Sequence, residues 1–228
     1  MQAIVNRRPS PVAKKTANPW DHRGRNSGGR RAVGTRDTRR RILIVCEGTA
    51  TEPHYFTACK SIFRATLREL KVRGLGKDPK TVVRKAKGIR NSEEAKSGGV
   101  FDEVWCVFDR DDFGETFDQA IRDATAEGFE VAFSNPSIEL WFCLHFREVK
   151  EEVTNTELKN WLSKSLNRPY EKSDAALFDE LWPKHDVAQK RAVILIESHR
   201  SKKGGLNPGH HNPVTRLHEL MRSLARNE

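Results

Sequence analysis

The chain has 228 residues, 36% of them apolar and 32% charged, with a formal net charge of +10 at neutral pH. That length holds one good-sized domain with a buried core, or one domain with an extension. No window approaches the ~18–20 apolar residues of a membrane span, and the first residues lack the apolar stretch of a secretory signal. A cytoplasmic protein with no membrane partner is therefore expected.

The charge is unevenly spread. Residues 1–40 carry eleven Lys or Arg against Asp21 and Asp37, a net +9 of the chain's +10. The remaining body is close to neutral. A basic arm holding Gly, Ser and Pro reads either as a segment that reaches for polyanions such as DNA or RNA or as a solubilising tail. Trp20 is its one ring able to stack on a base. Cys46, Cys59, Cys106 and Cys143 show no CxxC spacing and sit mostly in apolar runs, so they read as buried reduced thiols.

Folding proper is expected to begin at Arg41. Ile42–Cys46 is a continuous, β-branched apolar run, as a central parallel strand covered on both faces requires. Thr49 and Glu52 then offer a capping box, with Pro53 in the first turn of a helix. Phe56, Cys59, Phe63, Leu67 and Leu70 continue at spacings of three and four, so the periodicity predicts a helix over 52–70.

A weak strand is placed near Leu70–Val72, before a glycine-rich turn, and a helix over 79–96. Val104–Phe108 is the second confident strand, 115–128 a helix closed by Gly128, and 129–134 another short strand. Strands alternating with helices predict a parallel sheet with right-handed crossovers. After Ser134 the strand signals fade. The segments 137–146, 154–166, 173–182, 186–200 and 213–225 all read as helical, so 136–228 is assigned to a helical extension packed on an α/β core of residues 41–135.

The chemistry lies where the apolar runs stop. "RILIVCEG" ends on Glu47, and "VWCVFDRDDFG" ends on Asp109 and Asp111. The C-terminal ends of parallel strands border the crevice where ligands bind. Residues i and i+2 of an extended chain point the same way, which lets the two aspartates converge. Three acids at one sheet edge suit Mg²⁺, a hard cation that takes a few carboxylate oxygens together with water and substrate phosphate.

In "SNPSIELWF", Glu139 is expected one turn inside an apolar helix that starts after the last strand. Burying it requires a cation or a donor, so it is either a further metal ligand or a group facing solvent or a lysine. Asp112 and Glu115 are open between supporting and capping roles. "RGLGK" at 73–77 lacks the spacing of a phosphate-binding loop, and the spacing of His199, His210, His211 and His218 matches no zinc signature.

"RILIVCEGTATEPHYF", "VWCVFDRDD" and "SNPSIELWFCLHF", followed by a late "TRLHEL", together resemble the RloB-like family of TOPRIM-fold proteins over most of residues 38–225. The resemblance implies a Rossmann-like TOPRIM parallel sheet flanked by helices, as in topoisomerases, primases and OLD-type nucleases. It implies Glu47 as general acid/base or metal ligand, Asp109 and Asp111 as ligands of Mg²⁺ or Mn²⁺, and Glu139 as the extra carboxylate of the nuclease branch. It brings His218 into the motif set, with a place in the cleft or a structural role both open.

The implied activity is metal-dependent endonuclease cleavage of DNA or RNA. The implied partner is an ATPase of the AAA or ABC type encoded beside it in restriction or abortive-infection loci, and a homodimer fits as well. The rival reading is a non-hydrolytic subunit that docks nucleic acid and such an ATPase.

Overall fold

The computed structural model describes residues 39–97, 99–174, 176–201 and 205–226. Residues 1–38 of the arm read at 1–40, Trp20 among them, lie outside these, and Arg40 already belongs to the first strand. The elements run β1 (Arg40–Cys46), α1 (Thr51–Ile62), β2 (Leu67–Gly74), α2 (Pro79–Ser97), β3 (Glu103–Asp109), α3 (Glu115–Ala126), β4 (Glu130–Asn135), α4 (Glu139–Leu144), α5 (Asn155–Leu166), α6 (Leu177–Leu181), α7 (His185–Arg200), β5 (Val214–Thr215) and α8 (Leu217–Ala225). The five strands form one sheet in the order β2-β1-β3-β4-β5. β1 to β4 are parallel and β5 is antiparallel to β4.

The central strands alternate between two covered faces, which is why each reads as an unbroken apolar run. Ile42, Ile44, Cys46, Trp105, Val107 and Ala132 face a core completed by α1 and the helices from α4 onward. Leu43, Val45, Val104, Cys106, Phe108, Val131 and Phe133 face α2 and α3. All four cysteines are buried and free. Among the described residues no helix is long and apolar enough to cross a membrane.

Two expectations change. The helix predicted over 52–70 stops at Ile62 and a single 3-10 turn, and Leu67 and Leu70 belong to β2. β2 is an edge strand with one exposed face, and its buried residues happen to extend the helical spacing of α1. The second change is β5, two residues inside a segment read as helix. Val214 and Thr215 are β-branched, but two residues are too short a run to stand out as a strand; pairing with Asn135 and Ser134 makes them one, and α8 begins only at Leu217.

Candidate functional site

The sheet sets the position of the site. From β1 the chain crosses by α1 to β2 on one side, and from β3 it crosses by α3 to β4 on the other. The two outgoing connections diverge, so a crevice opens at the C-terminal ends of β1 and β3, the place where open α/β sheets take ligands. Glu47 and Asp109 stand at those two ends. The Glu47 amide donates to Val107 O at 2.8 Å, carrying the ladder one residue past β1. The Asp109 amide donates to Glu47 Oε2 at 3.1 Å, which draws the Glu47 carboxylate across the mouth of β3.

Asp111 reaches the same cavity by another route than strand alternation. β3 ends at Asp109, and Asp111 sits in a left-handed turn with φ of 34°. Its amide donates to Pro136 O at 3.1 Å, and Asn155 at the start of α5 donates to its Oδ1 at 2.9 Å. Asp109 and Asp111 therefore line one cavity through the turn after β3 and not through i, i+2 alternation along a strand.

Glu139 is the first residue of α4, not a turn inside it, and only 3% of its surface is exposed. Ser137 Oγ donates to its Oε2 at 2.6 Å, and the Tyr170 hydroxyl approaches its Oε1 at 3.2 Å. The structure thus meets the alternative of a solvent-facing Glu139 with a buried, donor-held carboxylate.

Sequence reading missed a further acid. Glu52 was placed in a capping box with Thr49, but α1 starts after Ala50 with no side-chain cap. Instead Glu52 is buried, and its Oε1 accepts the Gly48 amide at 3.1 Å. A Cβ on Gly48 would lie 2.2 Å from Glu52 Oε2. The glycine after Glu47 therefore leaves room for the Glu52 carboxylate to fold back. The signal was available: in such sheets the first turn of the helix leaving a strand borders the crevice, so acids there are candidates as well as caps.

Glu47, Glu52, Asp109, Asp111 and Glu139 line one cavity of about 350 Å³, joined by Asp78 and by two cations, Lys77 and Lys172. A neighbouring cavity of about 530 Å³ is lined by Asp109, Asp111 and Glu139 together with Lys159 and Lys172. Burial, with mutual repulsion added, raises the proton affinity of three of these acids. Burial first, opposed by the Asp109 amide and reinforced by repulsion from Asp111, Glu52 and Asp78, pushes Glu47 up to about 7. Burial, then Glu52, Glu139 and Asp111, holds Asp109 well above the usual carboxylate range. Burial likewise raises Glu52, with Glu139 adding to it and Lys172 opposing.

This donor set consists of hard oxygens and lacks sulfur or imidazole, the chemistry of Mg²⁺ and Mn²⁺ rather than zinc. Among the described residues no group of three or more His, Cys, Asp or Glu side chains is placed to hold a metal ion as the side chains stand. Mg²⁺ is commonly held by only one or two carboxylates, with water and substrate phosphate completing its shell. Raised proton affinity of a buried acid group marks the same need for positive charge.

Other singled-out residues lie elsewhere. Arg110, between the two aspartates, lines neither cavity and donates to Gly209 O at 3.2 Å and to the Asp111 carbonyl at 2.6 Å. His218 does not line either cavity: it is buried on α8, and burial lowers its pKa to about 4. His199 is fixed to Pro213 O at 2.8 Å and stacks on His211. "RGLGK" is no nucleotide loop, yet its Gly76 and Lys77 border the acid cavity at the end of β2.

Fold and site define an open α/β protein with an acidic crevice at its topological switch point. The family model for RloB-like proteins matches residues 42–224, and the chain belongs to the RloB-like family. No curated protein and no solved structure matches the chain.

Proposed function

We propose that this chain is a divalent-metal-dependent endonuclease of the TOPRIM type that cleaves phosphodiester bonds of DNA or RNA. The observation that carries the reading is the gathering of five carboxylates at the β1/β3 crevice, with raised proton affinity at Glu47, Glu52 and Asp109. Such a group is costly to assemble without a cation. Glu47, Asp109, Asp111 and Glu139, joined by Glu52, would hold Mg²⁺ or Mn²⁺. When bound, such an ion supplies positive charge that offsets the charge developing on the phosphate and orients the attacking water.

The chain's own residues do the rest. Glu47, with its proton affinity near neutrality, is the group able to take or return a proton at Oε. The Asp109 amide keeps that carboxylate in place. Asn155, Ser137 and Tyr170 restrain the side chains of Asp111 and Glu139, and restrained ligands hold reacting groups in position. Lys77 and Lys172, on loops at the cavity wall, offer charge to the phosphates flanking the scissile one.

Family membership supports a setting in phage defence, as an effector activated beside an AAA- or ABC-type ATPase in a restriction or abortive-infection system. Among the described residues the carboxylates as placed form no group of three able to hold a metal ion, which supports a second reading, a subunit that binds nucleic acid and the ATPase without hydrolysis. The test is cleavage of plasmid DNA and total RNA with Mg²⁺ or Mn²⁺, with and without the adjacent ATPase, by wild type, Glu47→Gln and Asp109→Asn/Asp111→Asn. Metal-dependent cutting lost in the variants supports the nuclease. Binding without cutting under every condition, unchanged in the variants, selects the second reading.

A further inference from the structure

Beside the acid cavity, and joined to it by Thr51 and Lys172, opens a second hollow of about 380 Å³ between α1 and the segment leading into α6. Its character is different. The wall is apolar, built from Pro53, Tyr55, Ala58, Leu177 and Phe178, while His54, Thr57, Ser173 and Asp174 supply polar groups around it.

The wall is fixed in advance. Tyr55 receives a hydrogen bond from Trp141 Nε1 at 3.0 Å and meets Phe178 edge-on at 5.3 Å between ring centroids. Phe178 in turn stacks on Trp182 at 5.6 Å. The volume falls within the range of small-molecule sites, and an apolar wall with a few polar groups is their usual composition.

A strand whose scissile phosphate lies over the acids must send its neighbouring nucleotide somewhere. Resting on the nuclease reading of the adjacent cavity, we infer that this hollow receives an unstacked nucleobase of the substrate strand, next to the phosphate to be cut, and so contributes base preference. Lys172 borders both cavities and stands where the phosphate joining the two positions would pass. His54, exposed at the end of the α1 wall, can lie against the base, and Thr57 and Ser173 can address its polar edge, while Asp174 is held by Arg168 and the Ala176 amide. Enzymes that act on single strands or loops read splayed-out bases in this manner.

The experiment uses the full chain in Mg²⁺ buffer and compares binding of nucleoside 3′- and 5′-monophosphates with ribose 5-phosphate by calorimetry or NMR. The base should tighten binding by about 5- to 150-fold, the range of one base–aromatic contact. Thr57→Trp, which fills the hollow from an exposed position, should erase that gain and leave ribose 5-phosphate binding unchanged, and His54→Ala should reduce it. Equal binding of nucleotides and ribose 5-phosphate, or a gain that survives Thr57→Trp, overturns the inference. Metal-dependent cleavage without a base contribution removes the pocket alone. A base contribution without any cleavage upholds the pocket and removes the nuclease reading.

Discussion

The amide of Asp109 donates to Glu47 Oε2 across the gap between two parallel strands, at 3.1 Å. Two acids from distant parts of the chain are thus held together by backbone geometry, although their charges repel. The hydrogen bond opposes the effect of burial on Glu47 without cancelling it, and the pKa still stands near 7. Stability has been given up to build this site, and that has measurable consequences.

Neutralising one acid should stabilise the metal-free protein while removing its activity. Asp109→Asn keeps the backbone donor and removes a charge that Glu52, Glu139 and Asp111 disfavour. In chelator at pH 8 its Tm should exceed that of wild type, by about 2–4 °C for each kcal/mol of repulsion relieved. A lower Tm would show that Asp109 is held by attractive partners. Calorimetric melting of both proteins decides between them.

The pH dependence of metal-free stability should pass through a maximum. For the acids the folded state binds protons more tightly than the unfolded one. Their contribution therefore falls as pH rises from the ordinary 4.5 through about 7 at Glu47. For buried His145 the sign reverses: burial lowers its pKa from 6.5 to about 3, so stability is lost as pH falls through that window. The two oppose each other between 4.5 and 6.5, where the maximum should lie. Urea unfolding across pH measures it, and His145→Gln should make the acid limb shallower without removing it, because burial also lowers His185 and His218.

Gly48→Ala should separate activity from stability. The new methyl group would meet Glu52 Oε2 at 2.2 Å, and the flexible end of that side chain can move aside. A small stability cost, below the ~1–3 kcal/mol of overpacking a rigid core, should accompany a large loss of cleavage, since the Glu52 carboxylate leaves the ring. Equal activity of Gly48→Ala and wild type would remove Glu52 from the site.

At the opposite edge of the sheet, buried Arg40 pairs with Glu103 and donates to Ser223 Oγ and to Arg226 O, tying β1 to β3 and the end of α8. Arg40→Ala removes the buried cation from Glu103, which keeps Trp105 Nε1, Ser223 Oγ and the exposed Arg226, and should cost ~1–3 kcal/mol by chemical denaturation. The folded fraction should retain wild-type cleavage per molecule, because this network lies at the far end of β1 from Glu47.

What the sequence disclosed followed the physics of burial. β1, β3 and β4 are covered on both faces, so Ile42–Cys46 and Val104–Phe108 stand out as runs, and acids that end such runs are conspicuous. β2 was half hidden because Leu67 and Leu70 extend the spacing of α1, and β5 was hidden entirely because Val214 and Thr215 are a strand only through Asn135 and Ser134. Glu52 looked like a helix cap because an acid in a first turn has that role more often than any other. Lys77 and Lys172 sit in loops with no periodicity to betray them, and only the folded chain brings them to the acids.

Whether Glu47, Glu52, Asp109, Asp111 and Glu139 hold a divalent cation is decided by titrating the metal-free chain with Mn²⁺, followed by electron paramagnetic resonance and calorimetry, for wild type and Asp109→Asn/Asp111→Asn. Saturable binding that releases protons near pH 7, raises the melting temperature by mass action and is lost in the double variant is the predicted result. Absence of saturable binding, or binding equal in the double variant, would contradict it.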